Sequence, residues 1–407
     1  MASGLKGNLV VAQSGGPTAV INASVAGVAE EAFKNSDLIP GVYGSLHGIE
    51  GILYEDLIDL GAEDRATISG LTRTPAAALG SCRHKLTEDD YDRIIQVFKA
   101  HDIRYFFYIG GNDSMDTANR VSRLGAEQGY EVRAVGIPKT IDNDLDYTDH
   151  CPGFGSVARW VATSVRDAGL DTEAIGVVDK VKIVEIMGRN AGWITAASAL
   201  ARDHEDAAPH LIYVPEKPIN LDRFLGDVQN VYDRLGYCLI TVCEGVKGED
   251  GKPLMASTSA INLDAFGHAQ MGGVASYLCD LIADKLKLKA RFDKPGTIQR
   301  VSAALQSPVD RDEAYGAGAE AVRQAIAGVT GKMVTIERLS DEPYRSGYGL
   351  VDLDKVANAE KLIPDEFLNE AGNDVTEAFL KYARPLIGGP LPEYAYLKKV
   401  AVPKKVS

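Results

Sequence analysis

The sequence is poor in the features that would mark it for the cell exterior, a membrane or a nucleic acid. Its five cysteines, Cys82, Cys151, Cys238, Cys243 and Cys279, are odd in number and scattered, and none forms a CxxC pair. That argues against a disulfide framework or a zinc site and predicts a reducing compartment. No apolar run approaches the roughly 20 residues of a membrane span. The opening MASGLKGNLVVAQSGG reaches a short apolar stretch and turns at glycines, without the long apolar core of a signal peptide. A cytoplasmic protein with no membrane partner is expected. Positive charge is also in deficit: 43 basic against 57 acidic side chains leave a net charge of −14. Such a surface repels nucleic acid, which is bound through lysine and arginine on its phosphates. No GxGxxG with a trailing acid supports a dinucleotide-dependent oxidoreductase, and no repeat or low-complexity tract is present.

What is present is an ordinary globular balance, 45% hydrophobic and 25% charged over 407 residues, long enough for two or three domains. Short apolar runs alternate with helical patterns. Strands are expected at Asn8–Gln13, Tyr105–Ile109, Arg133–Ile137, Lys182–Ile186, His210–Val214 and Tyr237–Val242. Helices are expected at Thr18–Lys34, Glu88–His101, Ser114–Gln128, Ser156–Ala168, Asn190–Ala201, Leu221–Leu235, Ala265–Leu286 and Glu313–Ala327. This alternation predicts an α/β fold with parallel sheets covered by helices. From about Met333 the chain has more loop character and several prolines. Ligands of parallel sheets bind beyond the carboxyl ends of the strands, and the polar motifs fall there.

Gln13-Ser14-Gly15-Gly16-Pro17 follows the first strand; it is either a tight turn or a place where backbone and helix N-terminus approach an anion. Gly110-Gly111-Asn112-Asp113-Ser114 repeats the arrangement with two polar side chains, and Asn112 or Asp113 could serve a hard cation such as magnesium. Pro138-Lys139-Thr140-Ile141-Asp142-Asn143-Asp144 packs a lysine, a hydroxyl, an amide and two carboxylates into one strand end. A polar turn needs no such set. Phosphoryl transfer does: a carboxylate to take the acceptor's proton, and positive charge for the moving group. Met187-Gly188-Arg189 and Glu244-Gly245 end two further strands, with an arginine suited to phosphate and a glutamate suited to sugar hydroxyls. Lys289–Asp293 and Gln299-Arg300 add cations that are equally a solvated face.

These blocks, in order, resemble the phosphofructokinases: SGGPTAVIN at Ser14–Asn22, GGNDS, PKTIDND, VEIMGRNAGW at Val184–Trp193, CEG at Cys243–Gly245 and GTIQR at Gly296–Arg300. The resemblance runs over roughly Asn8–Gly318, and the remaining residues resemble the extension of longer members. It implies two α/β lobes with the active site in the cleft between them. Residues 1–145 would form the donor lobe and residues 146–300 the sugar-phosphate lobe, with 301–407 packing back on both. It implies phosphorylation of the 1-hydroxyl of fructose 6-phosphate, with Mg2+, by a homodimer or homotetramer whose sites lie near subunit interfaces. The resemblance makes Asp142 the base and puts Gly15 and Arg83 on the donor. It puts Thr140, Ile141, Met187, Gly188, Arg189 and Glu244 on the sugar phosphate. Arg291 and Arg300 match two arginines gripping the 6-phosphate, Lys180 stands where an arginine reaches a neighbouring subunit's site, and Thr297 occupies a place often held by histidine or tyrosine. Asn112 replaces the usual aspartate of the donor loop, as a direct or water-mediated metal ligand.

Two positions bear on the donor. Members that use ATP have glycine where this chain has Asp113 and Lys139; the pair present here is the pyrophosphate pattern. A carboxylate at Asp113 would meet the α-phosphate of ATP, and like charges in a closed site cost several kcal/mol. The alternatives are an ATP-dependent member, or a non-catalytic subunit that binds sugar phosphate, which would have no need of both a base and Lys139.

Overall fold

A computed structural model describes residues 4–255, 273–357 and 359–406. Seven strands form the larger sheet: β1 (Asn8–Gln13), β2 (Val42–Ser45), β3 (Leu57–Asp59), β4 (Ile103–Gly110), β5 (Arg133–Pro138), β10 (Lys332–Asp341) and β11 (Tyr344–Asp352). Their order is β11-β10-β5-β4-β1-β2-β3. The pairs from β2 through β10 are parallel and the two outermost are antiparallel. A second, wholly parallel sheet has β6 (Val181–Ile186), β7 (Leu211–Tyr213), β8 (Cys238–Cys243) and β9 (Ala290–Asp293) in the order β7-β8-β6-β9.

The central strands read as continuous apolar runs because both faces are covered. On one face Val10, Ala12, Phe106 and Tyr108 pack with Ile94, Ile95 and Phe98 of helix Glu88–Ala100. On the other, Leu9, Val11, Tyr105 and Phe107 pack with helices Ile21–Phe33 and Pro308–Ile326. Those two helices meet backbone to backbone. A Cβ on Gly27 would stand 2.0 Å from the Tyr315 carbonyl oxygen, and one on Gly318 would stand 2.2 Å from that of Ser24.

Most expected elements are present at or near their expected bounds, and three differences have physical reasons. The helix expected at Asn190–Ala201 starts at Trp193. Before it, the Glu216 carboxylate holds the Gly192 N–H (3.0 Å) and Glu360 holds the Asn190 amide (2.8 Å), so these groups are committed outside a helix. Short β2, β3 and β9 carry too few residues for a period to declare itself. The loop character expected after Met333 is corrected: β10 and β11 form a hairpin, with Pro343 at its turn, where a missing N–H costs no ladder bond. Of the helix expected at Ala265–Leu286, Val274–Leu286 is helical, and residues 265–272 lie outside the described residues.

The chain beyond Arg300 returns to both sheets. The hairpin adds to the edge of the larger sheet through Lys332↔Val135 and Met333↔Gly136. Phe379, Ala383, Leu386 and Leu391 complete the core beside Val184, Ile186 and Leu239 of the smaller one. Among the described residues no helix is long and apolar enough to cross a membrane.

Candidate active site

The carboxyl ends of β1, β4 and β5 and those of β6 and β8 line one cleft of about 560 Å³. Of the residues singled out in the sequence, Gly15, Arg83, Asn112, Asp113, Lys139, Thr140, Ile141, Asp142, Met187, Gly188, Arg189, Glu244 and Arg300 all line it.

On the larger sheet's side, Gly15 has φ +75°, a conformation that glycine tolerates without strain. A side chain there would crowd the Lys139 ammonium at 3.0 Å, and one on Gly16 would stand 2.9 Å from a guanidinium nitrogen of Arg300. These glycines let two cations reach the loop backbone, and the Lys139 ammonium donates to the Gly16 carbonyl at 3.0 Å. Helix Asn112–Glu127 begins at Asn112, so its positive end meets the cleft. The Asn112 side-chain oxygen accepts the Asp113 N–H at 2.9 Å, which spends one of its two lone pairs locally.

The loop after β5 is shaped by its own polar groups. The Thr140 hydroxyl accepts the Asp142 N–H at 3.0 Å. Asn143 adopts φ +56°, held there because its amide donates to the Tyr382 hydroxyl (2.9 Å) and accepts the Cys151 N–H (2.9 Å). Burial pushes the Asp142 carboxyl up to about 6, reinforced by the charge of Glu244 and opposed by Lys139, Arg189 and Arg300. Burial likewise pushes Lys139 down to about 8, against the attraction of Asp142 and Asp144 and with repulsion from Arg300 and Arg83. A carboxylate is thus poised near neutrality beside three cations.

On the smaller sheet's side, Gly188 has φ +150°, and a Cβ there would strike the Ala191 carbonyl oxygen and Cys243 sulfur, both at 2.7 Å. Its N–H donates to the Glu244 carboxylate at 3.3 Å. Burial pushes the Glu244 carboxyl up, opposed by that hydrogen bond. The Met187 N–H donates to Gln299 at 3.4 Å, which ties the segment Gly296–Arg300 to this loop.

Three expected residues are not brought to the cleft. Arg291 lies on the edge strand β9, exposed, with its Nε 2.6 Å from the Asp179 carboxylate. Lys180 precedes β6 at the opposite end of the strand from the cleft and lies 5.9 Å from the Tyr232 ring. Thr297 is exposed. Arg300 therefore parts company with Arg291. Its guanidinium stands by Gly16 with Lys139 and Arg83, on the side of the loop after β1, and its Nε is buried without a hydrogen-bond partner.

The cleft also contains groups to which the sequence analysis assigned no role: Asp144, Asn190 and Glu360. Asp144 is pushed up to about 7 by burial and by the charges of Asp142 and Glu360. Its place in the run from Thr140 was the available signal. Glu360 carries none, because it comes from the C-terminal segment and reaches the cleft only through the fold.

Comparison with known proteins identifies the family. The sequence profile of the family Phosphofructokinase matches residues 8–325. The chain is 45% identical, over 98% of each chain, to a pyrophosphate–fructose 6-phosphate 1-phosphotransferase of Methylococcus capsulatus. Crystal structures of pyrophosphate-dependent phosphofructokinases from Nitrosospira multiformis (44% identity) and Marinobacter aquaeolei (41%) superpose with TM-scores of 0.86, each covering 98% of both chains. With its profile matched from β1 to the end of the long helix that follows Arg300, and its strand-end motifs gathered in one cleft, the chain belongs to the phosphofructokinase family.

Proposed function

We propose that this chain transfers a phosphoryl group from pyrophosphate to the 1-hydroxyl of fructose 6-phosphate, giving fructose 1,6-bisphosphate and phosphate, reversibly. One observation carries the choice of donor: a carboxylate, Asp113, and a buried ammonium, Lys139, border the same glycine-lined donor loop. Asp113 opposes the α-phosphate of ATP, which pyrophosphate lacks, whereas Lys139 complements the compact charge of pyrophosphate.

In this reading pyrophosphate lies against Gly15, Arg83 and the start of helix Asn112–Glu127. Fructose 6-phosphate lies against Thr140, Ile141, Met187, Gly188, Arg189 and Glu244. Asp142 accepts the 1-hydroxyl proton as that oxygen attacks. Lys139, with Arg83 and Arg300, offsets charge on the transferring group and the departing phosphate.

Phosphotransferases of this family work with a divalent metal; here we assign magnesium. Magnesium takes oxygen ligands, usually one or two from carboxylates and the rest from substrate phosphates and water. The cleft fits that demand: Asn112, Asp113 and Asp144 offer oxygens. The described residues hold no cluster of three or more His, Cys, Asp or Glu able to bind a metal alone. Asn112 and Asp113 would hold the ion together with pyrophosphate, and it would supply charge neutralisation between the phosphates.

The cytoplasm suits a pathway of phosphorylated sugars, and a homodimer or homotetramer suits the placement of Lys180, Arg291 and Thr297, which would serve the 6-phosphate in a neighbouring subunit's cleft. Mixed oligomers of Lys180→Ala and Asp142→Asn chains should then regain activity that neither homo-oligomer has, because one site at each mixed interface is whole. Confirmed mixing without recovery overturns the shared site.

The titrating groups fix a pH profile. Asp142 must be ionised to accept a proton, so forward kcat/KM should fall as pH drops through about 6. Lys139 must be charged, so it should fall again as pH rises through about 8. In the reverse direction Asp142 donates, and its limb should invert. Asp142→Asn should cost at least ~10²–10⁴ in rate with fructose 6-phosphate binding retained; wild-type-like turnover would remove Asp142 from the role.

The donor assignment is tested by kcat/KM for pyrophosphate and ATP in four proteins. Replacing Lys139 alone should cut pyrophosphate turnover by about 2.7–4 kcal/mol of transition-state stabilisation. Asp113→Gly alone should admit ATP while leaving Lys139 placed for the other donor. Asp113→Gly with Lys139→Gly should move preference towards ATP beyond either single change, non-additively, since the two positions share one donor site. A double variant that keeps the wild-type preference contradicts the assignment.

A further inference from the structure

The two halves of the cleft come from different sheets, and a short piece of the C-terminal segment is bonded to both. Towards the catalytic loop, the Lys361 backbone N–H donates to the Asp144 carbonyl at 2.8 Å. The Lys361 ammonium donates to the carbonyls of Thr148 (3.0 Å) and Asp149. Towards the loop carrying Arg189, the Glu360 carboxylate accepts the Asn190 amide at 2.8 Å, and the Lys361 carbonyl accepts the Trp193 indole N–H at 3.0 Å. Two residues on, the Ile363 N–H donates at 3.1 Å to Glu216, whose carboxylate also holds the Gly192 N–H. The Lys361 ammonium lies 5.2 Å from the Trp193 ring centre. Trp193 itself is packed among Phe154, Phe367, Phe379 and Tyr382.

We infer that Glu360 and Lys361 are positioning residues for phosphoryl transfer: they tie the loop of Asp142 to the loop of Arg189 and set the distance between base and sugar-phosphate site. The inference rests on the proposed function of the cleft. The physical need is plain. Asp142 follows β5 and Arg189 follows β6, so no single sheet fixes their separation. A displacement of about 1 Å between reacting groups costs ~10²-fold in rate. The Lys361 ammonium is held by two loop carbonyls and an aromatic face, and burial pushes its pKa down, so its bonds are made out of bulk water, where each counts for more. Glu360 lies at the exposed mouth and holds the residue next to Arg189.

The test is steady-state kinetics of the full-length enzyme with pyrophosphate and fructose 6-phosphate, alongside thermal melting. Lys361→Met should lower kcat by at least ~10-fold, towards the ~10² of a misplaced reacting group, with KM for pyrophosphate little changed. Lys361→Arg, which can still donate to both carbonyls, should recover much of that rate. Glu360→Ala should lower kcat in the same sense, and Glu360→Gln, which keeps an oxygen for the Asn190 amide, should recover it. A merely structural role would lower the melting temperature while leaving kcat per folded site at the wild-type value. That result in either folded alanine or methionine variant overturns the assignment of its residue. Should Lys361→Met fail to fold, the exposed Glu360→Ala and Asn190→Ala variants decide, since neither empties the core. Absence of wild-type turnover would instead count against the proposed function.

Discussion

Lys139 and Asp142 sit on one short loop after β5, and burial works against the charge of both. Left alone, desolvation would neutralise each of them. Their mutual attraction, with Arg189 and Arg300 acting on Asp142 and Asp144 acting on Lys139, keeps both ionisable near neutral pH. In the proposed reaction a base that is too acidic would take no proton, and an ammonium that is too easily discharged would stabilise no phosphate. The loop's geometry must therefore be held tightly. Behind it stands a buried network: His150 bridges Asp149 (2.7 Å) and Glu313 (2.6 Å), and Arg338 of β10 also binds Asp149. Burial works against the His150 imidazolium, yet Glu313 and Asp149 outweigh it and push its pKa up to about 9. The charges in the cleft are thus held from behind by charges that do not line it.

That network explains the C-terminal third. Arg338 and Tyr344 come from the hairpin, Tyr382 from a later helix and Glu313 from the helix packed on Ile21–Phe33. Tyr382 donates to the Asp149 carbonyl while receiving the Asn143 amide, so one hydroxyl braces both ends of the loop. Residues far along the chain are not an appendage to the cleft but its backing, and with Glu360 and Lys361 they reach its mouth.

Much of this was legible from residues alone, where local chemistry decides structure. Helix Leu221–Leu235 has the bounds expected of it because Asn220 caps its start and Gly236, at φ +79°, ends it. Helix Glu88–Ala100 starts as expected because Thr87 and Asp90 form a reciprocal cap. The strand-end motifs gathered in one cleft because parallel sheets place their carboxyl ends together. What was not legible depends on long-range pairing. The hairpin near Met333 was obscured by Pro343, which counts against a strand only when its turn is unknown. Arg300 and Arg291 looked like partners nine positions apart, yet one turns into the cleft and the other lies on an edge strand with Asp179. Glu360 has no motif at all and enters the site through tertiary structure.

The central claim is that the cleft exchanges phosphoryl groups with pyrophosphate itself. The most direct measurement runs the reaction backwards, following fructose 1,6-bisphosphate and inorganic phosphate with the purified protein and magnesium by phosphorus NMR. The account predicts growth of a pyrophosphate resonance in step with fructose 6-phosphate, with no nucleotide present. No pyrophosphate under these conditions, with ATP formed when ADP is supplied, would contradict it.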